Sequence, residues 1–88
     1  MKFKTNHSPG PWAFDAHDIR DANGHYIIDT DDIQKMSDIK AITQVPAMLE
    51  YMMDRARMMS IYGFSAVENS ELKRILTILK DAGVEVVE

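Results

Sequence analysis

None of the 88 residues is cysteine, which excludes disulfides, thiolate zinc sites and cysteine nucleophiles and leaves the redox compartment open. No apolar run approaches the roughly 20 residues of a membrane span, and the first residues lack the apolar core of a signal peptide. Positive charge is scarce: ten Lys and Arg stand against fourteen Asp and Glu, for a net charge of −4. The deficit is even, since residues 1–44 and 45–88 each carry five positive and seven negative side chains. A chain with no basic stretch is a poor match for duplex nucleic acid, whose phosphates must be neutralised. Also missing are an i, i+4 histidine pair, a phosphate-cradling glycine loop with its lysine, and a Gly-x-Ser-x-Gly elbow. The expectation is therefore a protein that is not an enzyme, with no catalytic residues, no metal and no cofactor.

What remains is ordinary folding material. Hydrophobic residues make up 45% and charged residues 27%, a balance that favours a packed chain over a disordered one. At 10.0 kDa the chain is too small for two full cores, so one soluble, cytosolic domain is expected.

Residues 1–11 read as an extended polar lead-in, closed by Pro9-Gly10-Pro11, which forbids helix. Trp12 and Phe14 alternate with Ala13 and Asp15 as in a strand with one apolar face. Ile19-Arg20 and Tyr26-Ile27-Ile28 flank Asp21-Ala22-Asn23-Gly24, a strong hairpin signal. A two-residue turn at Asn23-Gly24 pairs Ile19 with Ile28, whereas a three-residue loop pairs Ile19 with Ile27. The second suits better, because Gly24 alone then takes the left-handed conformation.

Thr30-Asp31-Asp32 has the short polar and acidic residues of a helix start. Ile33, Met36, Ile39 and Ile42 follow at threefold spacing, up to a break at Val45 before Pro46. Pro46 suits the first position of a second helix, with Met48, Leu49, Met52, Ala56 and Met59 on one face and Gly63 at its end. Ser65-Ala66-Val67-Glu68 and Asn69-Ser70 are rival starts for a third helix. Its stripe is Leu72, Ile75, Leu76 and Leu79; Gly83 stops it, and Val84-Glu85-Val86-Val87 reads as a short closing strand. The order β-β-β-α-α-α-β predicts an α+β fold, a small antiparallel sheet packed with two to three helices over residues 12–88.

Few residues carry chemistry. His17, Asp18 and Asp15 have the types of an acid–base cluster but the setting of solvated turn residues. Asp29-Thr30-Asp31-Asp32 starts like a calcium loop, yet Gln34 stands where the loop needs glycine and Lys40 where it needs glutamate, so capping explains it better. Trp12 behind Pro11 suits a stacking platform or a core position. Arg20, Lys40, Arg55 and Arg57 are candidate anion ligands; Arg55 and Arg57 lie about 200° apart on a helix, so one ligand cannot use both.

The methionines are distinctive. Five of the seven fall between Met48 and Met59. Met48, Met52 and Met59 can be buried by one face, while Met53 and Met58 project elsewhere; a helix apolar on more than one side predicts a homo-oligomer through Met48, Met52, Met53, Met58 and Met59.

His7-Ser8-Pro9-Gly10-Pro11-Trp12, the hairpin with Asp21-Ala22-Asn23-Gly24 and Ile27-Ile28, a helix, Pro46 and a second amphipathic helix together resemble a group of small, largely uncharacterised phage and prophage proteins. Its members open with His-Thr/Ser-Pro-Gly-Pro-Trp. After a glycine-containing hairpin they carry a stretch like Ala-Asn-Ala-Arg-Leu-Ile-Ala-Ala-Ala-Pro-Glu-Leu-Leu-Glu-Ala-Leu. Here residues 37–52 occupy that stretch, with Ile42, Pro46, Leu49 and Glu50 matching and Lys40 in place of arginine. Asp38 replaces the asparagine, Ala41 the leucine, and Ala47-Met48 the Glu-Leu after proline. The resemblance covers residues 7–52, and residues 60–88 have no counterpart in it.

The resemblance implies a phage accessory protein acting in the cytoplasm of an infected bacterial host. Counter-defence factors of that kind often work without catalysis. The first expectation is a sponge that sequesters a small anionic nucleotide signal, with Trp12 or Tyr26 stacking on the base and Arg20 or Arg55 holding phosphate. The alternative is an acidic inhibitor that masks a host defence or replication protein. A small hydrolase and a structural phage component rank below these. An arginine and an aromatic meeting in a cleft favour the sponge; a fully buried Trp12 with no arginine beside any pocket favours masking.

Overall fold

A computed structural model of the chain describes residues 1–87. In chain order the elements are β1 (Phe3–Thr5), β2 (Ala13–Asp15), β3 (Asp18–Arg20), β4 (Tyr26–Asp29), α1 (Met36–Thr43), α2 (Val45–Ile61), α3 (Ser70–Asp81) and β5 (Val84–Val86). The fold is α+β, as the residue pattern predicts. It has two small antiparallel sheets where one was expected: β1 with β5, and β2–β3–β4. Contacts divide the chain into two compact units, Ser8–Met48 and Met1–His7 with the chain from Leu49 onward. The boundary falls inside α2.

The Ser8–Met48 unit is organised by turns. Ala16, at φ 50°, and His17 join β2 to β3, with Asp15 opposite Asp18. Between β3 and β4, Gly24 takes φ 81°; its N–H donates to the Asp21 carbonyl at 3.0 Å, and the Asp21 N–H donates to the His25 carbonyl at 2.9 Å. That is the three-residue loop the sequence favours, with Gly24 left-handed. The pairing beyond it differs from the expected Ile19–Ile27. Arg20 faces Tyr26, but a bulge absorbs one residue and brings Ile19 opposite Ile28. Ile19 is fully buried.

The expected helix start at Thr30-Asp31-Asp32 is not one. The Asp29 carboxylate accepts from the Asp31 N–H, the Thr30 N–H donates to the His17 carbonyl, and the Ile33 N–H returns to the Thr30 carbonyl. The short polar side chains are spent on this turn, a use that competes with capping. Helix α1 begins three residues after Ile33, behind Lys35, which makes no side-chain cap bond. It contacts β2, and Ile39 is its buried residue. The break before α2 falls at Gln44, and Val45 opens the second helix, one position earlier than Pro46. A Cβ added at Gly10 would stand 2.5 Å from the Pro46 Cβ, so the Pro-Gly-Pro segment needs its glycine for close approach. The Gly10–Pro11 peptide is cis.

The other unit is organised by apolar packing. Strand β1 occupies part of the expected lead-in and pairs Phe3 with Val86 and Thr5 with Val84. Ala56, Met59 and Leu72 form a buried cluster, with Met1, Phe3, Ala66, Ile75 and Leu76 packed against it. Leu49, Met53, Ala56 and Met59 are the buried residues of α2. Two expectations exchange places here: Met48 is half-exposed, and Met53 is in the core. The helix turns the row 49, 53, 56 inward, about 100° from the row led by Met48. Gly63, at φ 85°, ends α2 in a Schellman motif: the Phe64 N–H reaches the Met59 carbonyl and the Gly63 N–H the Ser60 carbonyl.

Asn69, not Ser65, caps α3; its side chain accepts from the Leu72 N–H at 3.0 Å. Gly83, at φ 84°, follows α3, and the predicted closing strand, β5, comes next. Among the described residues no helix is long and apolar enough to cross a membrane.

Candidate functional site

In the unit containing α3, an apolar groove of about 550 Å³ opens between α3 and β5. Leu76, Leu79, Val84 and Val86 supply its apolar wall, and Asn6, Lys80 and Glu85 supply its polar groups. The stop at Gly83 produces this arrangement by turning the chain sharply from α3 into β5. No arginine lines the groove.

Beside it, β5 has a strand edge available. The Val87 N–H donates to the Lys2 carbonyl at 2.9 Å, which makes Lys2–Val87 a hydrogen-bonded pair. Such pairs alternate along an antiparallel ladder, so Glu85 also turns its N–H and C=O towards β1. Val84 and Val86 therefore direct theirs away from β1, and among the described residues no strand pairs with that edge. The closing strand was legible in the sequence. Its open edge was not, because the partner strand, Phe3–Thr5, lay in a segment with little patterning.

The four residues expected to hold a nucleotide divide between the two units. Trp12, Arg20 and Tyr26 belong to the Ser8–Met48 unit, and Arg55 belongs to the other. Arg20 and Tyr26 face each other across β3 and β4. Trp12, just before β2, is half-buried, and its indole N–H donates to the Ser8 carbonyl at 3.0 Å. Tyr26 is exposed.

Both arginines are already engaged. Arg20 donates from Nε and Nη2 to the two Asp18 carboxylate oxygens, each at 3.0 Å, and from Nη1 to the Gly24 carbonyl. The hydrogen bond and charge of Asp18 hold the guanidinium above its ordinary pKa. Arg55 donates from Nε to Glu71 at 3.2 Å. Arg57, on another side of α2, pairs with Asp54 and lies 5.2 Å over the Phe3 ring. A phosphate at Arg20 would have to displace the Asp18 carboxylate, whereas the bond to Glu71 uses one of the five N–H donors of Arg55.

The remaining polar groups have structural partners. His17 faces Asp31 at 3.2 Å, both side chains well exposed, rather than Asp15 or Asp18. Asp21, expected only as a turn residue, holds that turn together. Its carboxylate is buried and accepts from the backbone N–H groups of Asn23 and His25, both at 2.9 Å. The signal was present in Asp-x-Asn-Gly, since an aspartate before a turn often binds the backbone two residues on. Among the described residues no three His, Asp or Glu side chains gather as a metal site. No protein-family model matches the chain, and no curated protein or solved structure matches it either.

Proposed function

We propose that the protein is a non-enzymatic accessory factor that masks a partner protein by taking an extended segment of it along β5 and into the groove beside α3. The observation that carries this reading is the groove, apolar on most of its wall, bordered by an open strand edge and lacking any arginine. Strand addition suits such an edge, because main-chain hydrogen bonds supply affinity and the groove selects alternate side chains. Its volume lies within the range of roughly 300–1,000 Å³ typical of ligand sites. The resemblance to phage accessory proteins supplies the setting, a host protein in an infected bacterium.

The nucleotide-sequestering reading keeps one observation in its favour, the opposition of Arg20 and Tyr26 on one sheet. Against it, Asp18 already neutralises that arginine through both carboxylate oxygens. A hydrolase reading has only His17 and Asp31, which face solvent.

The test is a selection of extended peptides from a display library, followed by titration onto isotopically labelled protein. Bound peptides shift the Val84 and Val86 amides most. Val86→Pro removes an outward N–H while sparing the ladder to β1, so it weakens peptide binding at least about tenfold with the fold intact. Heat from cyclic dinucleotides or ADP-ribose in calorimetry, with peptide shifts absent from β5, would return the nucleotide reading to first place.

A further inference from the structure

Helix α2 carries two rows of side chains on different faces. One is the buried row of Leu49, Met53, Ala56 and Met59. The other is Tyr51, Arg55, Met58 and Tyr62, spaced four, three and four residues apart, the a/d spacing of a helix that packs on another helix. Tyr62 continues the row just past the helix, because its N–H still donates to the Met58 carbonyl at 3.1 Å. Tyr51, Met58 and Tyr62 leave 72%, 50% and 73% of their surfaces open, and neighbouring Ile61 leaves 80%. Together these four side chains leave roughly 550 Å² of mainly apolar surface open. That is the upper end of the roughly 300–600 Å² of the largest patch on an ordinary monomer, a size that is often functional. It is about two-thirds of the ~800 Å² that each partner contributes to a standard interface.

We infer that this row is covered by a second copy of the chain, with the two α2 helices packed antiparallel about a twofold axis near Ala56 and Arg57. The row itself selects the direction. A parallel pair stacks like positions and sets Arg55 against the partner's Arg55, two cations in one layer. The antiparallel pair sets Tyr51 against the partner's Tyr62 and Arg55 against the partner's Met58. The Arg55 guanidinium then lies beside tyrosine faces, keeps Glu71 as its ion pair, and comes within reach of the partner's Asp54. Opposed helix dipoles favour the same direction. Met53 and Met59, expected among the oligomer contacts, instead belong to the protomer's own core, whereas Met58 lies in the seam. The inference is independent of the β5 groove, which uses none of these residues.

Light scattering on the full chain at micromolar concentration gives twice the 10.0 kDa of one chain. Met58→Lys halves that mass with the helical circular dichroism unchanged. The direction is read from cross-links, which are clean because the chain has no cysteine. Under oxidation, Y51C mixed with Y62C forms a disulfide-linked heterodimer. Y51C alone does not, since its two thiols lie about 16 Å apart along the antiparallel pair. A 10.0 kDa mass for the unmodified chain overturns the inference, and so does efficient cross-linking of Y51C to itself.

Discussion

The two compact units are held together by different physics. In Ser8–Met48 the ordering groups are polar and backbone-directed: the buried Asp21 carboxylate, the Thr30 N–H on the His17 carbonyl, and the Ala22 N–H on the Pro9 carbonyl. Its fully buried apolar anchor is a single residue, Ile19. The other unit is built on helix faces, with Ala56, Met59 and Leu72 clustered and Leu79 and Val84 also buried. Hydrophobic burial is non-directional and tolerates neighbours that adjust, whereas a buried hydrogen bond depends on geometry. Substitutions should therefore be felt in different ways in the two units, through lost volume in one and through unsatisfied N–H groups or lost clearance in the other.

The sharpest probe of the apolar unit is Leu72→Ala. Leu72 is 1% exposed in the central cluster, so its truncation removes about 2–5 kcal/mol by lost burial and a residual cavity. Urea denaturation followed by far-ultraviolet circular dichroism measures this. A loss below about 1 kcal/mol would mean that the cluster collapses around the gap, and that this unit is not held by packing.

In the polar unit the matching probe is Asp21→Ala. It strips the acceptor from two backbone N–H groups and leaves them facing a gap, for a loss of about 2–3 kcal/mol. Asp21→Asn keeps an oxygen in the same place and recovers most of that loss. If alanine and asparagine behave alike, the hydrogen bonds are not what holds the loop, and the contrast between the units fails at this point. Gly10→Ala tests clearance rather than bonding. Its new Cβ would meet the Pro46 ring at 2.5 Å, and a proline ring has little freedom to move aside, so overpacking costs about 1–3 kcal/mol. A neutral thermal melt would show that the two segments separate freely.

The same contrast governs what could be read in advance. Leu72 and Leu79 recur at helical spacing, and the structure buries both; Gly24, Gly63 and Gly83 mark the left-handed positions where turns or helix ends were expected. Periodicity and glycine chemistry are local, and they survive folding. The failures arose where one local device had two uses. Thr30-Asp31-Asp32 can cap a helix or close a turn, and the choice depends on the His17 carbonyl, brought in from a distant position. Met48 and Met53 are equally apolar, so composition alone does not say which one α2 turns inward. Strand β1 exists because β5 pairs with it, a contact between opposite ends of the sequence. For the site, the closing strand at Val84 was legible, but its open edge follows from a ladder register that no local pattern encodes. The arginines were identifiable as cations, yet their engagement by Asp18 and Glu71 required coordinates.

The smallest effect comes where a polar device serves the apolar unit. Asn69 sits at φ −115° and ψ 111°, outside helical geometry, and its carboxamide oxygen accepts from the Leu72 N–H at the third position of α3. Asn69→Ala leaves that N–H without an acceptor near the first turn, where solvent can partly replace it, so the loss is about 1 kcal/mol. Asn69→Asp keeps the acceptor and adds a negative charge at the positive end of the helix, which matches or slightly exceeds the parent. Ser65→Ala, at the rival start, changes stability by less than about 0.5 kcal/mol, because the bonds there use the Ser65 backbone carbonyl and not its hydroxyl. Parallel thermal melts of the three variants give the order. A larger loss at Ser65 than at Asn69 would move the start of α3 four residues earlier and make the turn at 65–69 part of the helix.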